Sequence, residues 1–77
     1  MNELIKNIEK LHSTELGIKR IKRNLSIDCD VIQWCKNKIL DKNTQIDRNG
    51  KNYYAKIENY IITVNAYSYT IITAHKM

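Results

Sequence analysis

The chain has no proline and only two glycines in 77 residues. That scarcity excludes a flexible linker and the compositions typical of disordered chains. Its two cysteines, Cys29 and Cys35, do not form a Cys-x-x-Cys pair, so neither a redox motif nor a zinc motif is present. If both lie at or in one helix, their six-residue separation sends them to different faces, too far apart to bridge. Two free thiols are expected, with Cys35 in the core. With only two cysteines and two scattered histidines, no metal site and no cofactor are expected. No apolar segment is long enough to span a bilayer. The first residues lack the apolar core and small-residue cleavage site of a signal peptide. The expected location is the cytoplasm, with no membrane partner.

Acidic residues are also in short supply, at eight against thirteen Lys and Arg. The net charge is +5 and the isoelectric point about 9.3. A basic balance suits a nucleic-acid partner. Ten Lys against three Arg, with thirteen Ile and nine Asn, also fits the codon bias of an AT-rich bacterial genome, which supplies positive charge without a binding role.

What the chain does have in strength is its tail. From Asn59 to His75 there is no Asp, Glu, Lys or Arg, and β-branched and aromatic residues dominate. Such a run reads as two strands around a short turn and must be a sheet centre or part of an interface. The first forty residues read instead as helices. Helix one, about Asn2 to His12, has Leu4, Ile5, Ile8 and Leu11 on one stripe. Ser13 and Thr14 are natural caps for a second helix with Ile18, Ile21 and Leu25 inward, and Gly17 marks a close approach of another backbone. Asp30 with Gln33 fits a capping box before a third helix carrying Val31, Cys35 and Ile39.

Four strands are expected at about 44–47, 52–57, 60–65 and 69–75. Arg48-Asn49-Gly50-Lys51 suits a type I′ hairpin, and Glu58-Asn59 a second two-residue turn with positive φ at Asn59. Asn65 to Ser68 make the third connection. The predicted fold is α+β: two or three N-terminal helices packed on one face of a four-stranded antiparallel meander, in a single domain over 1–77. Two-residue turns pair Ile46 with Tyr53, Ala55 with Ile62 and Ile57 with Tyr60. The core face is then Ile46, Tyr53, Ala55, Ile57, Tyr60, Ile62 and Val64. The open face holds Gln45, Tyr54, Lys56, Ile61 and Thr63. A four-residue third loop puts Tyr69, Ile71, Thr73 and His75 on the core face, and a three-residue loop puts them on the open face.

Two constellations point to chemistry. Lys19, Arg20, Lys22 and Arg23 are the densest basic cluster, suited either to phosphate contact or to a solvated helix face whose stems shield the core. His75, Thr73, Lys56 and Tyr54 can gather on the open face. There a His moves a proton in RNA phosphodiester cleavage, a Lys stabilises the anionic transition state, and Tyr54 or Tyr69 stacks a base. The plainer reading makes His75 a terminal strand residue and the threonines ordinary strand formers. His12 reads as a helix-end residue facing carbonyls. The five tyrosines, all in the sheet half, read as core and rim packing or as a stacking platform for single-stranded RNA.

Four stretches resemble a small bacterial family of unknown function: Leu11 to Gly17, Arg20 to Leu25, Trp34-Cys35, and Ile61 to Lys76. More distantly, helices followed by a four-stranded meander resemble the barnase–EndoU–colicin–RelE nuclease group, whose small toxins often carry a polar or basic residue near the end of the last strand, where His75-Lys76 sits. The chain departs from that group in having no clear second catalytic histidine and no arginine-rich strand. The basic charge, the sheet tyrosines and His75 point to RNA binding or a toxin-like, metal-independent RNase. The alternative is a non-catalytic module that acts as a homodimer through the open face or the last strand.

Overall fold

The structure, a computed structural model, describes residues 3–77. Helix α1 (Glu3–Lys6) and a single 3-10 turn (Ile8–Lys10) lead into α2 (Glu15–Leu25) and α3 (Val31–Leu40). Strands β1 (Gln45–Asn49), β2 (Asn52–Ile57), β3 (Tyr60–Asn65) and β4 (Ile71–Lys76) follow, antiparallel and in chain order across the sheet. The α+β meander expected from the sequence is what forms.

The continuous first helix expected over 2–12 does not form, and its start at Asn2 lies outside the described residues. The helix breaks at Asn7 (φ −110°), whose side-chain amide donates to the Glu3 carbonyl. Asn commonly competes with the helical ladder in this way. The break still buries Leu4 and Leu11. The caps of the next two helices follow their sequence signals. Thr14 Oγ1 accepts from Gly17 N at 3.0 Å, and Asp30 Oδ1 accepts from Gln33 N at 3.1 Å. Only half of the expected capping box is made, because Gln33 Nε2 donates to Asn37 Oδ1 instead. Gly17 is crowded by the Ser13 and Thr14 hydroxyls, not by another backbone.

Two corrections concern turns. Asn49 pairs with Asn52, so the central residues of the first hairpin are Gly50 and Lys51. Only Gly50 has positive φ (63°), the pattern of a type II′ turn, which places glycine first. Ile46 therefore pairs with Ala55, not Tyr53. The slip is two residues, so every side chain keeps its face. At the second hairpin Ile57 pairs with Tyr60 as expected, but Glu58 and not Asn59 takes the positive φ (55°). Its carboxylate is held by Lys38 Nζ at 3.0 Å.

β4 resolves the open choice of register by a bulge. Val64 pairs with Ile71, Thr63 with Thr73 and Ile61 with His75, with a register shift between Thr63 and Val64. Ile72 is the extra residue. Ile71 and Ala74 consequently both enter the core, while Thr73 and His75 join Thr63 and Ile61 on the open face. Neither single-register alternative holds along the whole strand.

One cluster of buried residues runs from Leu4 through Ile21, Leu25, Val31, Cys35 and Ile39 to Tyr53, Ala55, Ile62, Val64, Ile71 and Ala74. Helix α2 packs on β4, and α3 on α2 and β2. Across the sheet, Ala55, Ile62 and Ala74 form a row of small, large and small side chains under the helices. At its edge Trp34 and Tyr60 meet edge to face at 5.2 Å between ring centroids. Among the described residues no helix is long and apolar enough to cross a membrane.

Candidate functional site

Antiparallel pairing arranges the open face in rows. One row reads Gln45, Lys56, Ile61, His75, and the next Asp47, Tyr54, Thr63, Thr73. All four side chains singled out in the tail half, His75, Thr73, Lys56 and Tyr54, thus lie on the face that the helices leave uncovered. Lys56 and His75 are exposed, whereas Tyr54 and Thr73 are half-buried.

The rows also separate them. Lys56 and His75 stand on β2 and β4 with Ile61 of β3 between, and Tyr54 and Thr73 have Thr63 between. Two inter-strand spacings put the backbones of each pair about 10 Å apart. His75 and Thr73 are closer, two residues apart on one strand. No pair makes a direct hydrogen bond. The arrangement is a strip of cation, apolar side chain and imidazole beside a tyrosine ring, suited to gripping an extended chain. A proton relay on one phosphate requires both long side chains to bend over Ile61.

A shallow depression of about 530 Å³ opens on the β1 side, lined by Asp47, Arg48, Asn49, Tyr54, Lys56 and Ile61. It includes Tyr54 and Lys56 but not Thr73 or His75. The sequence reading missed Asp47 and Asn49 as part of this surface. Strand alternation carries the signal for Asp47, two residues after Gln45 on the same face. Arg48 is anchored at the rim by Nε donating to the Gly50 carbonyl at 2.8 Å, with its guanidinium over the Tyr53 and Tyr67 rings.

The five tyrosines do not form one stacking platform. Tyr53 is in the core, Tyr60 packs on Trp34, Tyr67 is exposed beside Arg48, and Tyr69 packs on the core with Lys10 over its ring. Tyr54 alone faces the open side. The basic cluster of α2 is elsewhere. Lys19, Arg20 and Arg23 are exposed and Lys22 half-buried on the helical layer, across the sheet from His75 and Lys56. Among the described residues these four make no ion pair.

On the open face and the last strand, the two surfaces named for self-association, little apolar area is exposed. Ala74 is fully buried, leaving Ile61 and the bulged Ile72. The start of the outer edge of β4 is also occupied. His12 N donates to the Tyr69 carbonyl just before the strand, Ile71 N to the His12 carbonyl, Ser13 Oγ to the Ile71 carbonyl and Asn24 Nδ2 to the Ala74 carbonyl. The paired part of that edge offers little to an added strand.

The two cysteines are free, Cys29 exposed and Cys35 buried. Burial, reinforced by the nearby Cys29, pushes the Cys35 thiol from 9.0 up to about 12. That thiol is a packing group without nucleophilic character at neutral pH. Among the described residues no three His, Cys, Asp or Glu side chains are grouped to hold a metal ion.

No curated protein and no solved structure matches the chain. A family of proteins of unknown function does, over residues 5–75, nearly the whole length. The chain belongs to that family, DUF3781.

Proposed function

We propose that the protein binds single-stranded RNA across the open face of its sheet. The observation that carries this reading is the placement of Tyr54, Lys56, Thr73 and His75 together on the one sheet face that no helix covers. Lys56 neutralises a backbone phosphate, Tyr54 offers a stacking surface at the depression, and the half-buried Thr73 offers a hydroxyl group. The net charge of +5 attracts the polyanion at long range, with the α2 cations contributing through that field without touching the bound strand.

Metal-independent cleavage is the narrower form of the reading. In it Lys56 and His75 bend over Ile61 to a single phosphodiester, His75 moving the proton and Lys56 facing the developing charge. It rests on the placement of these two side chains alone, since no solved structure matches the chain. Homodimerisation is the competing form. It rests on Ile61 and Ile72, and light scattering at high micromolar concentration tests it directly.

Anisotropy of a labelled RNA oligonucleotide at low salt tests the main reading. Binding is expected to weaken by about 1–3 kcal/mol in Tyr54→Ala, the worth of one stacked base. Lys56→Ala is expected to reduce the salt slope by about 0.7, the share of one phosphate contact on a single strand. Incubation with total RNA in EDTA separates binding from cleavage. RNA that stays intact and unshifted at low salt refutes both.

A further inference from the structure

The best-defined polar geometry in the molecule lies away from the open face, where the segment between the 3-10 turn and α2 meets the start of β4. His12 Nδ1 sits 2.8 Å from the Lys10 carbonyl oxygen, and His12 Nε2 sits 3.1 Å from Thr70 Oγ1. A carbonyl can only accept, so Nδ1 carries the proton. In the neutral ring Nε2 is then the acceptor, and the Thr70 hydroxyl donates to it. With its own proton given to His12, Thr70 Oγ1 accepts from Ser68 Oγ at 2.8 Å, while Asn65 Oδ1 accepts from the Tyr67 and Ser68 backbone N–H groups at 2.9 Å each. The chain of groups therefore runs from a hydroxyl to an imidazole base and on to a carbonyl that fixes the tautomer. That is the arrangement by which a weak hydroxyl nucleophile is activated.

Two further observations fit. Tyr69, between the two hydroxyl residues, has φ 59°, a left-handed conformation that costs a non-glycine residue about 1–2 kcal/mol. Strain of this kind concentrates at functional sites. It is held here by Tyr69 N donating to the Asn65 carbonyl and by His12 N donating to the Tyr69 carbonyl. His12 is also exposed, so a substrate can reach the imidazole.

We infer that Thr70 is a nucleophile toward activated acyl compounds, with His12 as its general base and Ser68 as a positioning residue. Thr70 Oγ1 bonds to the acyl carbon as its proton passes to His12 Nε2. The bond from that carbon to the leaving oxygen then breaks, and the imidazolium returns the proton to the departing alcohol or phenol. The product is an acyl ester at Thr70. A water molecule repeats the steps in the same sense, releasing the carboxylic acid and restoring the hydroxyl.

The test uses p-nitrophenyl acetate on the full chain, read as p-nitrophenolate release and by peptide mass mapping. Acetyl is expected on Thr70. A positioned general base is worth at least about a hundredfold, so acetylation at residue 70 is expected to fall by that factor in His12→Asn. That substitution keeps a side-chain amide near the Lys10 carbonyl and removes the base. Thr70→Ser is expected to retain the label at residue 70. Circular dichroism confirms that each variant is folded, and the mapping of the unsubstituted protein stands whether or not the variants fold. Label confined to lysines and the amino terminus overturns the proposal, as does label at Thr70 that forms equally fast in His12→Asn.

Discussion

Ile61 and Ile62 are adjacent isoleucines on β3 whose faces the account assigns oppositely. Ile62 is 0% exposed, central in the sheet, and flanked across the strands by Ala55 and Ala74. Replacing it with alanine leaves a row of three alanines beneath the helices, with no larger side chain in that row to fill the space. Ile→Ala in a core costs about 2–5 kcal/mol, and poor collapse puts this site in the upper part of that range, about 3–5 kcal/mol. A domain of 77 residues has about 4–12 kcal/mol in total. The substitution therefore removes a large share of the stability. Ile61, half-buried on the open face, is expected to cost about 1 kcal/mol. Urea unfolding followed by Trp34, the only tryptophan, measures both. At about 1–3 kcal/mol per molar urea, the Ile62→Ala midpoint falls by about 0.7–4 M more than that of Ile61→Ala. Equal losses, or a larger loss for Ile61, refute the face assignment and with it the open-face site.

Other outcomes test separate parts. Gly17→Ala is expected to destabilise by about 1 kcal/mol despite alanine's better helix propensity. The added Cβ meets Ser13 Oγ at 2.5 Å and displaces it from the Ile71 carbonyl. In a Ser13→Ala background the same change is neutral or stabilising, and a double-mutant cycle by urea unfolding measures the coupling. Thr14→Ala removes the α2 cap and costs about 1 kcal/mol by the same assay. Cys35 contributes stability that is fully present below pH 9.0 and is lost as pH rises toward about 12, because the unfolded thiol ionises first. Stability of the natural chain therefore falls more steeply above pH 9.0 than that of Cys35→Ala. At pH 8 a thiol reagent titrates one cysteine quickly in the native protein and both in urea, Cys29 being exposed and Cys35 buried.

The faces of the sheet were legible because strand alternation is local. Tyr53, Ala55 and Ile57 point one way and Tyr54 and Lys56 the other whichever hairpin turn is used, and an even slip at Gly50 leaves this unchanged. β4 was not legible. Placing Ile71 and Ala74 inside with Thr73 and His75 outside requires a bulge at Ile72, and no periodicity of two describes that strand. His12 was read in part, for a related reason. It does face a carbonyl, as a helix-end residue does, but its second nitrogen meets Thr70, 58 residues away. Local sequence pattern carries no signal for such a pairing. The break at Asn7 was visible in principle, since Asn is a poor helix former with a competing side-chain amide, but the apolar stripe through Leu11 outweighed it.

The central claim is best tested by NMR, adding a short single-stranded RNA to isotope-labelled protein at low salt. The account predicts shifts at Tyr54, Lys56, Ile61, Thr73 and His75, with little change at Ile21 and Leu25. Shifts confined to Lys19, Arg20, Lys22 and Arg23, or no shifts at all, contradict it.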